Sequence, residues 1–275
     1  MSASLLRFNW FAAAAHLAAA ILSMIFLKRK SVPMYKLQFD ASVPATSDLD
    51  YPQELVPSGT TTNIKSLTIA FFFITAIAHV LYATDFFGKG WYTSVVFGFG
   101  WNPFRWFEYS VTASIMIFII SVIAGNKEQT AAWTVALITV GLMFQGYTNE
   151  REIHQNLLAK SFAEAKVDPY IVWGNFLPAW LLYGIKWYII FKALFALQDD
   201  VKQQTSGTLN GKITLLVWLQ FLFFTMFGVV QSVQVSMWAR KIQPSVPYLN
   251  FEVAYIWLSL IAKVGLGLSV ANLLN

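Results

Sequence analysis

Seven stretches of the chain are almost wholly apolar over roughly 20 residues or more, the length an α-helix needs to cross a bilayer core. Polar connections separate them. The spans predicted are Leu5–Leu27, Ile64–Phe87, Pro103–Ala124, Thr130–Asn149, Ile171–Leu197, Ile213–Trp238 and Tyr248–Asn272. Helices suit this pattern because a backbone in lipid has to satisfy its own hydrogen bonds. No internal repeat and no break marks a second unit, so residues 1–275 are read as one seven-span domain.

Two connections carry patterns of their own. In the long first one, Tyr35–Ala41 alternates apolar and polar side chains, the period of a half-buried strand. A shorter alternation follows at Asp48–Tyr51, with Val43-Pro44-Ala45 able to turn between them, which predicts a small β-hairpin outside the membrane. From Glu150 to Lys166, Ile153, Leu157, Leu158, Phe162 and Ala165 fall at helical spacing opposite charged residues. That stretch is an amphipathic helix or a continuation of the fourth span.

Composition agrees with the spans: 57% of residues are hydrophobic and 12% charged, where soluble domains carry about a quarter charged. This is an integral membrane protein. The net charge of +5 comes from scattered basic residues, which gives nucleic-acid binding little support. With no cysteine, disulfides and thiolate chemistry are excluded. Leu5–Leu27 is too long, and wrongly flanked, for a cleavable signal. Apart from Lys186 and Lys263, the basic residues divide eight to nine between the two sides of the membrane, so charge does not orient the chain.

The chemistry lies in the polar residues inside the spans. Lys263 is near the middle of the last one, with about ten residues beyond it, roughly 15 Å of helix. A lysine there costs several kcal/mol unless it is paired, lines water or is chemically modified. One reading is an aqueous cavity; the other is a Schiff base with a carbonyl-bearing cofactor. Glu108, about a turn and a half into the third span, is the candidate partner for the amine. His16 and His79 lie deep in the first two spans, and Thr75, Tyr82, Thr112, Ser114 and Ser259 could share a polar cavity with them. Serine and threonine also commonly bond back to their own helix. Lys186 has the aromatic neighbours Tyr183, Trp187 and Tyr188, and either snorkels or lines a water path. Gln231 and Gln234 suit bonds between helices, and Asn102-Pro103 suits a turn into the third span. No close-spaced ligand pair suggests a metal, and no nucleophile–base set suggests an enzyme.

Seven spans with a lysine in the last resemble the retinal-binding rhodopsins. Asn102-Pro103-Phe104-Arg105-Trp106-Phe107-Glu108-Tyr109-Ser110 and Ser259-Leu260-Ile261-Ala262-Lys263 resemble the heliorhodopsins in particular. Glu252 and the Gly146/Tyr147/Glu150 end of the fourth span fit as well. The resemblance implies an all-α membrane protein with seven transmembrane helices around a retinal pocket and a β-hairpin in the first loop. It further implies that Lys263 carries all-trans retinal as a protonated Schiff base, that Glu108 is its counterion, and that His16 and His79 sit in the cavity beside it. Thr75, Thr112 and Ser259 would line that cavity. A cytoplasmic N-terminus and a homodimer to which the hairpin contributes are also implied.

Burial disfavours a charged iminium, so a nearby anion is required on physical grounds too. Classical outward proton pumps have an Asp four residues before the lysine and a carboxylate three turns past the counterion. Here those positions are Ser259 and Ile119. The first expectation is therefore a light sensor without dedicated pump machinery, read by the dimer or by a signalling partner that the sequence does not name. A light-gated passive proton or ion pathway is the alternative, and a light-independent transporter with a Glu108–Lys263 pair is the second. The Asp-Arg-Tyr and Asn-Pro-x-x-Tyr signatures of animal receptors are missing.

Overall fold

The computed structural model describes residues 2–39, 53–86, 88, 90–94, 102–159, 169–205, 210–239 and 245–274. Its helices are α1 (Ser2–Phe26), α2 (Ile64–Ala83), the single turn α3 (Trp91–Thr93), α4 (Pro103–Ile123), α5 (Gln129–Ala159), α6 (Pro169–Thr205), α7 (Gly211–Ala239) and α8 (Ser245–Leu274). Every helix but α3 is long and apolar enough to cross a membrane. Sequential neighbours pack side by side, and α8 closes the ring against α1. α4 is the most enclosed of the seven.

The helix ends have local causes. Asn102 caps α4, its side chain accepting from the Arg105 N–H at 3.2 Å, and Pro103 occupies the first turn, where its missing N–H costs nothing. Asn63 caps α2 in the same way, accepting from the Ser66 N–H at 3.1 Å. α2 stops at Ala83, four residues before the expected end, because Asp85 turns the chain with a left-handed φ of 51°. The Asp85 carboxylate accepts from the Gly90 N–H and, at 2.6 Å, from the Tyr92 N–H. This fixes α3 and leaves the Tyr92 side chain fully buried in the bundle.

The hairpin of the first loop is present, with a different second strand. β1 (Ser31–Phe39) pairs antiparallel with β2 (Gln53–Asn63), which runs straight into α2. Asp48–Tyr51, expected to be that strand, lies outside the described residues. β2 reads poorly as a strand because Pro57, Ser58 and Gly59 interrupt it; Gly59 takes a φ of 79° beside a register shift between Pro33 and Tyr35. The Tyr35 N–H bonds the Lys127 carbonyl at 3.0 Å, and Thr60 Oγ1 donates to Gln129 Oε1 at 3.3 Å. The hairpin is thereby tied to the α4–α5 turn. α5 continues past its membrane segment to Ala159, the second of the two readings for that stretch.

Most of the core lies between Lys263 and the C-terminal ends of α4 and α8. Met116, Ile117, Ile119 and Ile120 of α4 are buried there with Phe71, Phe72, Leu266 and Val270.

Candidate functional site

Lys263 and Glu108 meet in the middle of the bundle. The lysine Nζ donates to Glu108 Oε1 at 2.7 Å, and both residues are buried. Thr75 Oγ1 from α2 donates to the same oxygen at 2.6 Å, and Thr112 Oγ1, one turn along α4, at 2.8 Å. Three donors on one carboxylate oxygen favour its ionised form, as the amine beside it requires. The Lys263 ammonium also lies 5.2 Å from the Tyr109 ring centroid. Glu108 is thus a buried, paired group, not an interfacial solvated one.

His16 and His79 stack with ring centroids 5.6 Å apart. Neither His16 nitrogen has a hydrogen-bond partner among the described residues. His79 Nδ1 lies 2.8 Å from Asn9 Oδ1, and since that oxygen only accepts, Nδ1 carries the proton. Ser259 lines the same chamber as Lys263. Ser114 does not join the site: its hydroxyl donates back to the Ser110 carbonyl at 2.7 Å. Tyr82 stacks on Tyr92, centroids 4.9 Å apart.

A second polar cluster lies toward the N-terminal ends of α4 and α8. Arg105 Nη2 donates to Glu150 Oε1 at 2.6 Å, and its Nη1 donates to Glu252 Oε2. Asn102 Nδ2 donates to Glu252 Oε1 at 2.7 Å, and Trp106 Nε1 to Glu150 Oε2 at 2.7 Å. Gln234 Nε2 reaches Glu150 Oε1 at 3.1 Å, and the Arg105 guanidinium lies 4.0 Å from the Tyr255 ring centroid. Glu150 and Glu252 are thus buried carboxylates beside Glu108 in the bundle. Glu150 and Glu252, near the ends of their spans, are drawn inward by the shared guanidinium. The histidine pair is tied to this cluster through Asn9: Asn9 Nδ2 donates to Tyr92 Oη at 3.1 Å, and Tyr92 Oη donates to Glu252 Oε1 at 3.1 Å. Asn9 was legible as a lone amide in an apolar span; Tyr92 carried no signal, because a loop had to fold back to bury it.

Beside Lys263 a mostly apolar chamber, partly open to the outside, extends between α4, α5, α6, α7 and α8. Two glycines shape it: a Cβ at Gly146 would lie 2.3 Å from the Trp106 ring, and one at Gly228 2.8 Å from the Trp180 ring. Trp106 is held by its bond to Glu150, so it cannot yield freely. Gly146→Ala is expected to lower stability by about 1–3 kcal/mol, the usual cost of overpacking, read as a fall in the thermal unfolding midpoint. Lys186 lines the chamber too, almost wholly buried, with its ammonium 5.0 Å from the Phe224 centroid and 5.1 Å from that of Tyr183. It does not snorkel, and Tyr188, the third aromatic neighbour in sequence, points outward. Among the described residues no group of three or more His, Asp or Glu is placed to hold a metal ion.

A seven-helix bundle enclosing an elongated, mostly apolar chamber with a buried lysine–carboxylate pair at one side is the architecture of a microbial rhodopsin. The fold is shared with the rhodopsin of Exiguobacterium sibiricum, at a TM-score of 0.64 and 12% identity over 100% of this chain and 98% of that one. The transmembrane domain and linker region of the Salpingoeca rosetta rhodopsin phosphodiesterase aligns at 0.60 and 14% identity, over 98% of this chain and 70% of that one. The thermophilic rhodopsin of Rubrobacter xylanophilus aligns at 0.58 and 14% identity, over 99% and 95%. No curated protein matches the chain. The family profile that matches, over residues 5–271, is Heliorhodopsin, and the chain belongs to that family. Membership makes it a light-sensing membrane protein with a retinal chromophore.

Proposed function

We propose that Lys263 carries all-trans retinal as a protonated Schiff base with Glu108 as its counterion, and that the protein is a photosensor without dedicated pumping machinery. The observation that carries this reading is the 2.7 Å pair between two buried groups, with the lysine in the wall of a mostly apolar chamber. Retinal would supply light absorption and isomerisation. The chain's own residues do the rest. Glu108, steadied by Thr75 and Thr112, holds the proton on the lysine nitrogen. His79, Asn9 and Tyr92 form a hydrogen-bonded chain that ends at Glu252, the polar side toward which a proton released from the nitrogen would move. A cytoplasmic N-terminus and a homodimer through the hairpin belong to the same proposal, resting on family membership. Adding all-trans retinal to the apoprotein tests the attachment: a visible band red-shifted from the free aldehyde is expected, and its absence from folded protein would overturn the reading.

The polar chain favours a second reading, a light-gated proton path, but it runs to one side only. On the other side Ile117, Ile119, Ile120, Leu266 and Val270 fill the interior, and a proton has no partner among them. Under voltage clamp we expect light to evoke at most a transient current, with no sustained current at either polarity. A sustained photocurrent would replace the sensor by the conductor.

A further inference from the structure

Two buried amides in the chamber wall have no part in the chemistry at Lys263. Asn149 of α5 and Gln231 of α7 both line the chamber, at 1% and 5% exposure. Neither the Nδ2 nor the Oδ1 of Asn149 has a hydrogen-bond partner among the described residues, and neither has Gln231 Nε2. Leaving a buried amide group unpaired costs about 1–3 kcal/mol, so native folds normally supply a partner for such groups.

The surroundings hold Gln231 in place. Its Oε1 accepts from Tyr255 Oη, and Tyr255 Oη also lies 2.9 Å from Gln234 Oε1. Gln234 in turn bonds Glu150, the residue after Asn149. Both amides therefore sit at the level of Tyr255, which precedes Lys263 by eight residues on α8. Eight residues of helix are about 12 Å. The unpaired atoms thus line the chamber away from the point where α8 carries Lys263, along the stretch that the ring of an elongated chromophore would reach.

We infer that this end recognises an oxygen on that ring, and that the preferred ligand is a ring-hydroxylated retinal. The inference rests on the proposed attachment at Lys263. A hydroxyl oxygen accepts from Asn149 Nδ2 and Gln231 Nε2, and its hydrogen is donated to Asn149 Oδ1, so all three unpaired atoms are satisfied together. A ring ketone satisfies the two donors only. A hydrocarbon ring satisfies none.

The test is a competition in the dark. Folded apoprotein is offered equal amounts of all-trans retinal and its ring-hydroxylated form, and the captured retinoids are extracted and quantified. We expect the hydroxylated form to be favoured about tenfold, the worth of one to two net hydrogen bonds. In Asn149→Leu/Gln231→Leu the preference is expected to fall to about twofold or less. Equal capture by the wild type overturns the inference whether or not the variant folds, as does a preference that survives in a folded variant. Capture of neither retinoid by the wild type would be a different failure, that of the attachment at Lys263, and the ring preference would fall with it.

Discussion

Lys263→Ala is expected to be colourless at every concentration of added retinal, whereas the wild type develops a visible band. Among the described residues no other side chain at the Glu108 carboxylate can form an imine. Truncation has a side effect that needs its own control. It leaves Glu108 buried without its cation, and breaking such a pair costs about 3–5 kcal/mol. Lys263→Ala/Glu108→Gln removes both charges and is expected to recover much of the lost stability while remaining colourless. A visible band in either variant would move the attachment elsewhere, with Lys186, on the same chamber, the first place to look.

Glu108→Gln is expected to keep retinal but lose most of the visible band at neutral pH, in favour of near-ultraviolet absorption by the unprotonated imine. The sign follows from burial. The charged iminium is disfavoured in the interior, and Glu108 is the anion in contact that compensates. Losing about 3–5 kcal/mol of pairing is worth roughly two to four pH units at about 1.4 kcal/mol each. The visible band should return on acidification over a correspondingly lower pH window. An unchanged spectrum at neutral pH would assign the counterion to another group.

The seven spans and the Lys263–Glu108 pair were readable because a charge inside an apolar run is conspicuous at any register. The cluster at the other end of α4 was harder. Arg105 stands in the first turn of the third span, and Glu150 and Glu252 near the ends of theirs. Only the packing of α4 against α5 and α8 turns the three into a buried network. Glycines gave no hint of their task either: Gly146 and Gly228 matter because tryptophans from other helices lie against them. The strand at Gln53–Asn63 was missed for a simpler reason. Alternation is a good guide in short regular strands and a poor one in a bulged strand with a proline in its middle.

The polar chain reaches the N-terminal side and stops at a greasy plug on the other. Under the proposed mechanism, a proton leaving the lysine nitrogen shifts charge part of the way through the membrane field and then returns. Such a molecule behaves like a capacitor: it passes no steady current, yet it exchanges energy with the voltage across it. A full charge crossing 100 mV is worth about 2.3 kcal/mol, and a partial displacement a corresponding fraction. Membrane potential would then bias how long the light-adapted state lasts, so that one protein reports illumination weighted by the electrical state of its cell.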